Sequence, residues 1–310
     1  MVAIDDSITL GAASGNEYLN EEKGSDMKIL QSLIEGIESQ QKFDSFAEPA
    51  ASAVQKVTGA RLVKNALSGT WLGHQLHPML TDIPIGAWTM ASLLDLTGGE
   101  DSAAAAKKLV GFGVLAAVPT AMSGASDWSD EQGAAQRVGY VHAVSNSIGT
   151  SLQLVSWLAR TRGNRKAGVV LSLLGMSATG LGGYLGGHLS YVQGVGVNHT
   201  AFEEASGQWC DVAAVADVTE GTPLRVEADG VPVVMVKDDG AIRALSATCA
   251  HAGGPLDEGE VIDHCIRCPW HGSTFALADG SVKRGPASVD QPAWDVKVEG
   301  ERVLVRGDSA

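Results

Sequence analysis

The sequence predicts an α+β multidomain chain: a helical transmembrane four-helix bundle in the N-terminal part, followed by an all-β sandwich in the C-terminal third. Two observations predict this order. Four long apolar stretches with few charges lie between residues 80 and 189, which is typical of helices. After residue 209, short alternating runs are split by Asp-Gly dipeptides, which is typical of β-hairpins.

The N-terminal region precedes the apolar stretches. Its first 26 residues are acidic and contain Gly and Ser, so we expect residues 1–26 to form a disordered tail. Residues 27–70 are expected to form an amphipathic helical segment, because apolar residues recur there at helical spacing. These residues are Ile29, Leu30, Leu33, Ile34 and Ile37. We expect this segment to pack on the membrane domain.

The four apolar stretches cover residues 83–96, 109–122, 141–159 and 167–189. A membrane span needs about 20 apolar residues, whereas a run of about 10 to 14 more often forms a buried helix. The fourth stretch is long, and its Gly182-x-x-x-Gly186 spacing is typical of helices that pack closely in lipid. We therefore expect residues 71–190 to form four membrane-spanning helices; the alternative is a soluble helical bundle.

A short motif opens this region: His74-Gln75-Leu76-His77-Pro78-Met79-Leu80, followed by Asp82-Ile83-Pro84-Ile85-Gly86. It resembles the start of a bacterial family of four-helix membrane domains, domain of unknown function 2231 (DUF2231). The resemblance covers residues 70–190 and implies a membrane domain. Asp82 stands where that family often has a histidine.

Histidines in the helical region fall towards one membrane face if the helices alternate in direction. His77 lies at the start of the first helix, His142 near the start of the third and His188 near the end of the fourth. Ionisable residues in or near membrane spans are functional candidates. These three histidines are candidate ligands of a second site, which would bind haem b or another metal, with His74 as a spare ligand. The alternative is a set of hydrated polar residues at the lipid-water interface.

Residues 191–208 are expected to link the helices to a domain at 209–307. Within that domain, the runs 223–227, 231–237 and 295–298 alternate as strands do. The dipeptides Asp229-Gly230, Asp239-Gly240 and Asp279-Gly280 predict hairpin turns. This pattern favours a small antiparallel sandwich with functional loops at one end.

Two motifs in the sandwich combine thiolates with imidazoles: Cys249-Ala250-His251 and Cys268-Pro269-Trp270-His271. Two thiolates and two neutral imidazoles are the ligand set of a Rieske [2Fe-2S] centre, and this set indicates one-electron transfer. The alternative is a structural zinc site, which accepts the same residue types. Glycines and prolines beside both motifs permit tight loops that aim N–H groups at bridging sulfides, and they favour the iron-sulfur centre.

The chain from about Trp209 to Arg306 resembles a Rieske domain, and it is most similar to the ferredoxin components of ring-hydroxylating dioxygenases. The resemblance implies one [2Fe-2S] cluster per chain. It also implies that Cys249 and Cys268 hold the inner iron and that His251 and His271 hold the outer iron near the surface. Residues 285–287 are then expected to form a loop over the cluster.

The sequence departs from Rieske proteins that oxidise quinols. Gly254 and Trp270 stand where that type has an extra cysteine in each loop, and Phe275 has no hydroxyl where that type commonly has tyrosine. Ser273 could still donate to a cluster sulfide. Because fewer hydrogen bonds lower the potential of a cluster, we expect a value towards the lower end of roughly −150 to +300 mV.

We therefore expect a membrane-anchored Rieske protein that carries single electrons between redox partners and has no substrate-converting domain of its own. The alternative is the electron-donating component of a Rieske-type oxygenase, or of a membrane quinol or haem system, with catalysis in another subunit. The expected partners are a reductase or oxygenase and membrane lipid. The net charge of −14 argues against nucleic acid. A quinone is compatible with this function, but no residue pattern supports it directly.

The expected location is the cell membrane, with several passes. Basic residues in the loops opposite the Rieske side favour an external Rieske domain by the positive-inside rule. They are Lys107, Lys108, Arg160, Arg162, Arg165 and Lys166. No export signal precedes the first span, which favours the cytoplasmic side. The sequence leaves the side of the Rieske domain open.

Overall fold

A computed structural model of the chain describes residues 25–205 and 207–307. The N-terminal part of this described chain is helical and the C-terminal part is rich in β-strands, as the sequence predicts. The expected acidic tail at 1–26 lies outside the described residues except for its last two positions. Seven α-helices lie within the described residues: α1 (Ser25–Ser39), α2 (Asp44–Thr58), α3 (Arg61–Ser68), α4 (Leu76–Thr97), α5 (Ala103–Trp128), α6 (Gly133–Thr161) and α7 (Arg165–Tyr191).

The four apolar stretches lie in the four longest helices, and each helix extends beyond its stretch. Helix α4 packs on α5, α5 on α6, α6 on α7, and α7 returns to α4. Two of the described helices, α5 and α7, are long and apolar enough to cross a membrane by length and composition. Four membrane spans therefore remain a prediction.

Burial in these helices is the reverse of the usual pattern. The faces turned inwards carry small or polar side chains, including Ser123, Ser126, Gln153, Ser156 and Ser172. The faces turned outwards carry large apolar side chains, including Phe112, Leu115, Met122, Ile148 and Leu174. Small residues let neighbouring backbones approach closely, and such contacts are typical of helices that associate in lipid.

The segment expected to be one amphipathic helical region contains three helices and a short 3-10 helix. Ile34 of α1 is buried against Val138 of α6 and Leu185 of α7. Leu33 is 59% exposed, so only part of the predicted apolar face of α1 is covered. Helices α2 and α3 both pack on α5.

The C-terminal part contains two antiparallel sheets. One sheet has the strand order β1-β10-β9-β4-β3-β2 and the other has the order β5-β6-β7-β8. The strands are β1 (Cys210–Ala214), β2 (Leu224–Ala228), β3 (Val231–Asp238), β4 (Ala241–Ser246), β5 (Glu260–Ile262), β6 (Cys265–Arg267), β7 (Thr274–Ala276), β8 (Val282–Arg284), β9 (Ala293–Glu299) and β10 (Arg302–Arg306).

The predicted turns join the expected strands. Asp229 and Gly230 connect β2 to β3 with φ of 53° and 80°, and Asp239 and Gly240 connect β3 to β4 with φ of 50° and 80°. Two successive left-handed residues are what a two-residue turn of type I′ requires. The sheets enclose a core that includes Val236, Leu245, Leu256, Ile266 and Phe275. Both cysteines of the Cys/His motifs lie in this core.

Candidate functional site

Two loops of the same construction carry the Cys/His motifs. In the first loop, the N–H of Cys249 donates to the carbonyl of Gly254, and the N–H of Gly253 donates back to the carbonyl of Cys249, both at 2.8 Å. In the second, the N–H of Cys268 donates to Ser273 at 2.8 Å, and the N–H of Gly272 donates to Cys268 at 3.1 Å. Each loop therefore closes on its own cysteine.

A glycine is required at the same point of each loop. Gly253 has φ of 75° and Gly272 has φ of 71°, in the left-handed region where residues with a side chain are strained. Gly254 is required for a different reason, because a Cβ there would come within 2.9 Å of Sγ of Cys268. The two loops thus approach each other too closely for a side chain at this position.

The two cysteine side chains meet in the buried space between the loops. Cys249 is 1% exposed and Cys268 is 3% exposed. A hydrogen bond between the thiols lowers the pKa of Cys268 and raises the pKa of Cys249. The cysteines are not joined in a disulfide. Two adjacent buried sulfurs without a disulfide are suited to bind a metal centre through thiolates.

The two imidazoles of the motifs are also adjacent. The ring centroids of His251 and His271 lie 5.1 Å apart, and the ring planes are at 83°. Burial lowers the pKa of His251 to about 3, with further lowering by the neighbouring His271. Within the part of the chain that the structure describes, Nδ1 of His271 is buried without a hydrogen-bond partner. A buried nitrogen of this kind is suited to bind a metal, because buried polar atoms that do not bind metals are nearly always hydrogen-bonded.

The donor set fits a [2Fe-2S] cluster with mixed ligation. It offers one pair of thiols and one pair of imidazoles, and burial keeps the imidazoles neutral, as metal ligation requires. Cys210 and Cys265 are free thiols that are only half-buried. Cys265 lies in β6, opposite Ala276 of β7, outside the two ligand loops.

Two side chains outside the motifs hold the loops in place. The buried amide of Gln291 accepts from the N–H of Ala250 at 2.9 Å and donates to the carbonyls of Ser246 and Thr248 at 2.8 and 2.6 Å. Arg284 donates from Nη1 to the carbonyl of Gly272 at 3.0 Å. Neither residue is predicted from the sequence, because neither lies beside the loop that it supports.

Residues 285–287 lie against the second ligand loop. The N–H of Ala287 donates to Oγ of Ser273 at 3.0 Å. On its other side this segment contacts the helical part, where Oδ1 of Asn65 accepts from the N–H of Gly285 at 2.9 Å. Nδ2 of Asn65 also donates to the carbonyl of Lys283 at 3.2 Å. Helix α3 therefore contacts the segment expected to cover the cluster.

A buried ion pair lies in the helical part beneath this contact. Nζ of Lys64 donates to Oδ2 of Asp130 and, at 2.8 Å, to the carbonyl of Ser126. The side chains of Lys64 and Asp130 are 3% and 9% exposed. Burial raises the pKa of Asp130, and Lys64 opposes that shift. The pKa of His271 is lowered by burial, raised by Asp130 and lowered by Lys64, so both charges act on the imidazole.

The structure brings together two of the three helical histidines. The ring centroids of His77 and His142 lie 6.3 Å apart. His188 is elsewhere, because its Nε2 contacts Oε1 of Glu38 on α1 at 2.9 Å. His74 is exposed, and its Nδ1 contacts the carbonyl of Gln75. Of the three candidate ligands, the structure places two side by side and the third against Glu38.

The sequence matches two protein-family models. Residues 208–295 match the Rieske [2Fe-2S] domain, and residues 73–199 match a predicted membrane protein family, DUF2231. These matches confirm that the chain fuses the two domains, as expected from the sequence.

Ferredoxins are among the similar proteins. The chain is 33% identical over 94 residues to the ferredoxin component of biphenyl 2,3-dioxygenase from Rhodococcus jostii, covering 30% of this chain and 88% of that protein. It is 28% identical over 98 residues to the ferredoxin component of the naphthalene 1,2-dioxygenase system from Pseudomonas aeruginosa, covering 32% of this chain and 94% of that protein.

The similarity extends to a larger protein and to solved structures. Over 104 residues the chain is 38% identical to apoptosis-inducing factor 3 from Homo sapiens; this covers 33% of the chain but spans only 17% of that protein. Among solved structures, the ferredoxin of carbazole 1,9a-dioxygenase from Nocardioides aromaticivorans IC177 matches with 30% identity and a TM-score of 0.32, covering 33% of this chain and 99% of that one.

Proposed function

The chain belongs to the Rieske [2Fe-2S] family, and we propose that it is a membrane-anchored carrier that transfers one electron at a time between redox partners. In this proposal residues 71–190 form the membrane domain, 191–208 the linker and 209–307 the Rieske domain. The cluster supplies the one-electron chemistry, and the protein provides its ligands, orients them and excludes water.

The observation that carries the proposal is the convergence of two thiols and two imidazoles on paired loops. Cys249 and Cys268 would hold the inner iron, because they are the more deeply buried donors. His251 and His271 would hold the outer iron. The buried Nδ1 of His271, which has no hydrogen-bond partner among the described residues, supports its role as a ligand. The proposal assigns no substrate chemistry to this chain.

Membrane anchoring is supported by the DUF2231 match and by the reversed burial of the long helices. Exposed Phe112, Leu115 and Leu174 would face lipid, whereas Ser123 and Gln153 would satisfy their polar groups inside the bundle. We propose that α4 to α7 all cross the membrane. The Rieske domain would then lie on the membrane face where α4 begins, because its contacts with α3 are on that side.

A redox protein would reach the cluster beside His271. A groove of about 570 Å³ opens there, lined in part by Glu258, Glu260, Arg267 and Arg284. Its mixed charges suit a polar, transient contact, which is typical of electron-transfer encounters. We propose a reductase as the electron donor.

A second candidate function is electron donation to a separate oxygenase subunit. The relatives from Rhodococcus jostii and Pseudomonas aeruginosa are ferredoxin components of dioxygenase systems. The same groove beside His271 would then receive the oxygenase. This second candidate would be supported if a reductase reduces the cluster and an oxygenase reoxidises it, whereas a membrane haem protein does not.

Low-temperature EPR of the reduced protein, purified from membranes, tests the cluster assignment. We expect a rhombic Rieske signal from the unmodified chain. C249S and C268S are each expected to abolish it, whereas C210S and C265S are matched controls that retain it. A signal that survives C249S or C268S, or zinc in place of iron, would refute the proposed function.

A further inference from the structure

The four long helices form two hairpins that repeat one arrangement. In the first hairpin, Nδ1 of His77 on α4 contacts the carbonyl of Thr120 on α5 at 3.0 Å. In the second, Nδ1 of His142 on α6 contacts the carbonyl of Gly182 on α7 at 2.7 Å. In both hairpins a glycine four residues beyond that carbonyl receives the imidazole ring.

These two glycines contact the rings closely. A Cβ at Gly124 would come within 2.5 Å of Cε1 of His77, and a Cβ at Gly186 would come within 3.1 Å of Cε1 of His142. Each imidazole is thus held by one carbonyl and one glycine from the other helix of its hairpin. The same local structure occurs twice in the chain.

The repeat continues deeper in the helices. Trp88 and Gln153 each lie eleven positions after the histidine of their own helix. Nε1 of Trp88 donates to the carbonyl of Val110, and Nε2 of Gln153 donates to the carbonyl of Ser172. These side chains pack over Gly113 and Gly175, each eleven positions before the glycine that receives the imidazole.

Equivalent residues of the two hairpins meet. His77 lies beside His142 at one end, and Asp95 pairs with Arg160 at the other. Asp95 and Arg160 each lie eighteen positions after the histidine of their own helix. An internal pseudo-twofold axis therefore passes between the hairpins. The two imidazoles lie on either side of this axis, each with the same supporting contacts.

Among the described residues, the hydrogen bonds leave Nε2 of each ring available. Nδ1 must carry the proton, because its partner is a carbonyl, so Nε2 retains its lone pair. Nδ2 of Asn146 lies 3.5 Å from Nδ1 and 3.2 Å from Nε2 of His142. Such similar distances place the amide beside the ring, not along the lone pair of Nε2. Carbonyl-bonded imidazoles of this kind are how proteins orient histidines towards metals.

We propose that His77 and His142 bind one first-row transition-metal centre on the pseudo-twofold axis, through Nε2 of each ring. Two neutral imidazoles suit copper, zinc, nickel or iron. The binding chemistry is the same for a free ion and for haem iron. The site is separate from the Rieske cluster and does not depend on it.

The site lies on the side of the helical part that faces the Rieske domain. His77 contacts α5 at Thr120 and Gly124, near the C-terminal end of that helix. Asp130, which pairs with Lys64, lies just beyond the end of the same helix. Gly124 lies four positions before Trp128, the last residue of α5, which is about 6 Å at the rise of an α-helix, and Asp130 follows two residues later. The metal centre would therefore lie close beneath the charges that act on His271.

Copper titration of the full chain, purified in detergent with its cluster intact, tests the site. The parent protein carries H264Q, because His264, Asp238 and Asp239 offer an exposed group of metal donors. We expect the parent to bind one Cu²⁺ in addition to the cluster iron, with EPR nitrogen couplings from two imidazoles. H77Q and H142Q are each expected to weaken binding at least tenfold, whereas H188Q is a matched control with unchanged affinity.

Metal analysis and the visible spectrum of the protein as isolated distinguish a free ion from haem iron. Haem bands would equally support the site if H77Q and H142Q abolish them and H188Q retains them. Equal copper affinity in the parent, H77Q and H142Q would overturn the proposal. If either variant fails to fold, G124A keeps both ligands but displaces the ring of His77, because its Cβ would come within 2.5 Å of Cε1, and unchanged affinity in that variant would overturn the proposal. Cluster EPR, recorded on the same samples, tests the proposed function separately.

Discussion

Arg160 on α6 donates from Nη1 to Oδ1 of Asp95 on α4 at 2.9 Å, and the two side chains are 3% and 0% exposed. The pair joins equivalent positions of the two hairpins. A buried charge without its partner is strongly destabilising, although a buried pair itself adds little stability. This ion pair therefore links α4 to α6 at the end of the hairpins opposite His77 and His142.

Removing one charge of this pair should destabilise the helical part. We expect D95N to lower the free energy of unfolding by about 3 to 5 kcal/mol, because Arg160 is then buried without a counter-charge. Thermal unfolding in detergent measures the effect. E100Q is the control: Glu100 pairs with Arg165 but is 85% exposed, so a loss below about 1 kcal/mol is expected. Equal melting of D95N and E100Q would contradict this role.

The charges of Lys64 and Asp130 should shift the potential of the cluster in opposite directions. K64M removes a cation near His271, so reduction becomes less favourable and the potential falls. D130N removes an anion, so the potential rises. Protein-film voltammetry measures both shifts at equal cluster content. K56M alters an exposed lysine of α2 and should leave the potential unchanged. Shifts of K64M and D130N in the same direction would rule out a direct electrostatic effect.

Glu131 should make folding depend on pH. Burial, followed by the neighbouring Asp130, raises the pKa of Glu131 from 4.5 to about 7. The folded chain therefore binds this proton more tightly than the unfolded chain, and stability falls as pH rises from about 4.5 to about 7. At roughly 1.4 kcal/mol per pKa unit, the loss is about 3 kcal/mol.

Unfolding of the wild type and of E131Q at pH 5 and pH 8 measures this dependence. The difference in stability between the two pH values should be smaller in E131Q, because its amide does not titrate. E204Q is a control that removes a carboxyl outside this region. An identical pH dependence in the wild type and E131Q would show that the carboxyl does not titrate as expected.

Ser273 should raise the cluster potential. Its buried Oγ accepts from Ala287, which leaves the hydroxyl hydrogen to donate elsewhere, and a cluster sulfide is the expected acceptor. We expect the wild-type potential to lie in the lower part of roughly −150 to +300 mV, and S273A to lower it further. S281A, which removes a hydroxyl that donates to Asp279 outside the ligand loops, is the control. An unchanged potential in S273A, or a wild-type value near the upper limit, would contradict the prediction.

Features that depend on residues close together in the sequence could be predicted from the chain alone. Each ligand loop closes within six residues, so the Cys/His motifs and their glycines are visible in the printed chain. Turns such as Asp239-Gly240 are equally local, because two adjacent residues adopt the left-handed conformation. Long apolar runs likewise predict α4 to α7, since helix formation depends on residues within a few turns.

Contacts between residues far apart in the sequence could not be predicted from spacing and are visible only in the folded chain. His188 lies apart from His77 and His142 because α1 places Glu38 beside it, and nothing near His188 in the sequence predicts that contact. The internal repeat is not visible in the sequence, because equivalent positions carry different residue types. Trp88 and Gln153 are equivalent and both donate to a backbone carbonyl of the neighbouring helix, but one is aromatic and the other is an amide. Packing conserves shape and hydrogen bonding between helices, whereas a sequence pattern shows only residue type and spacing.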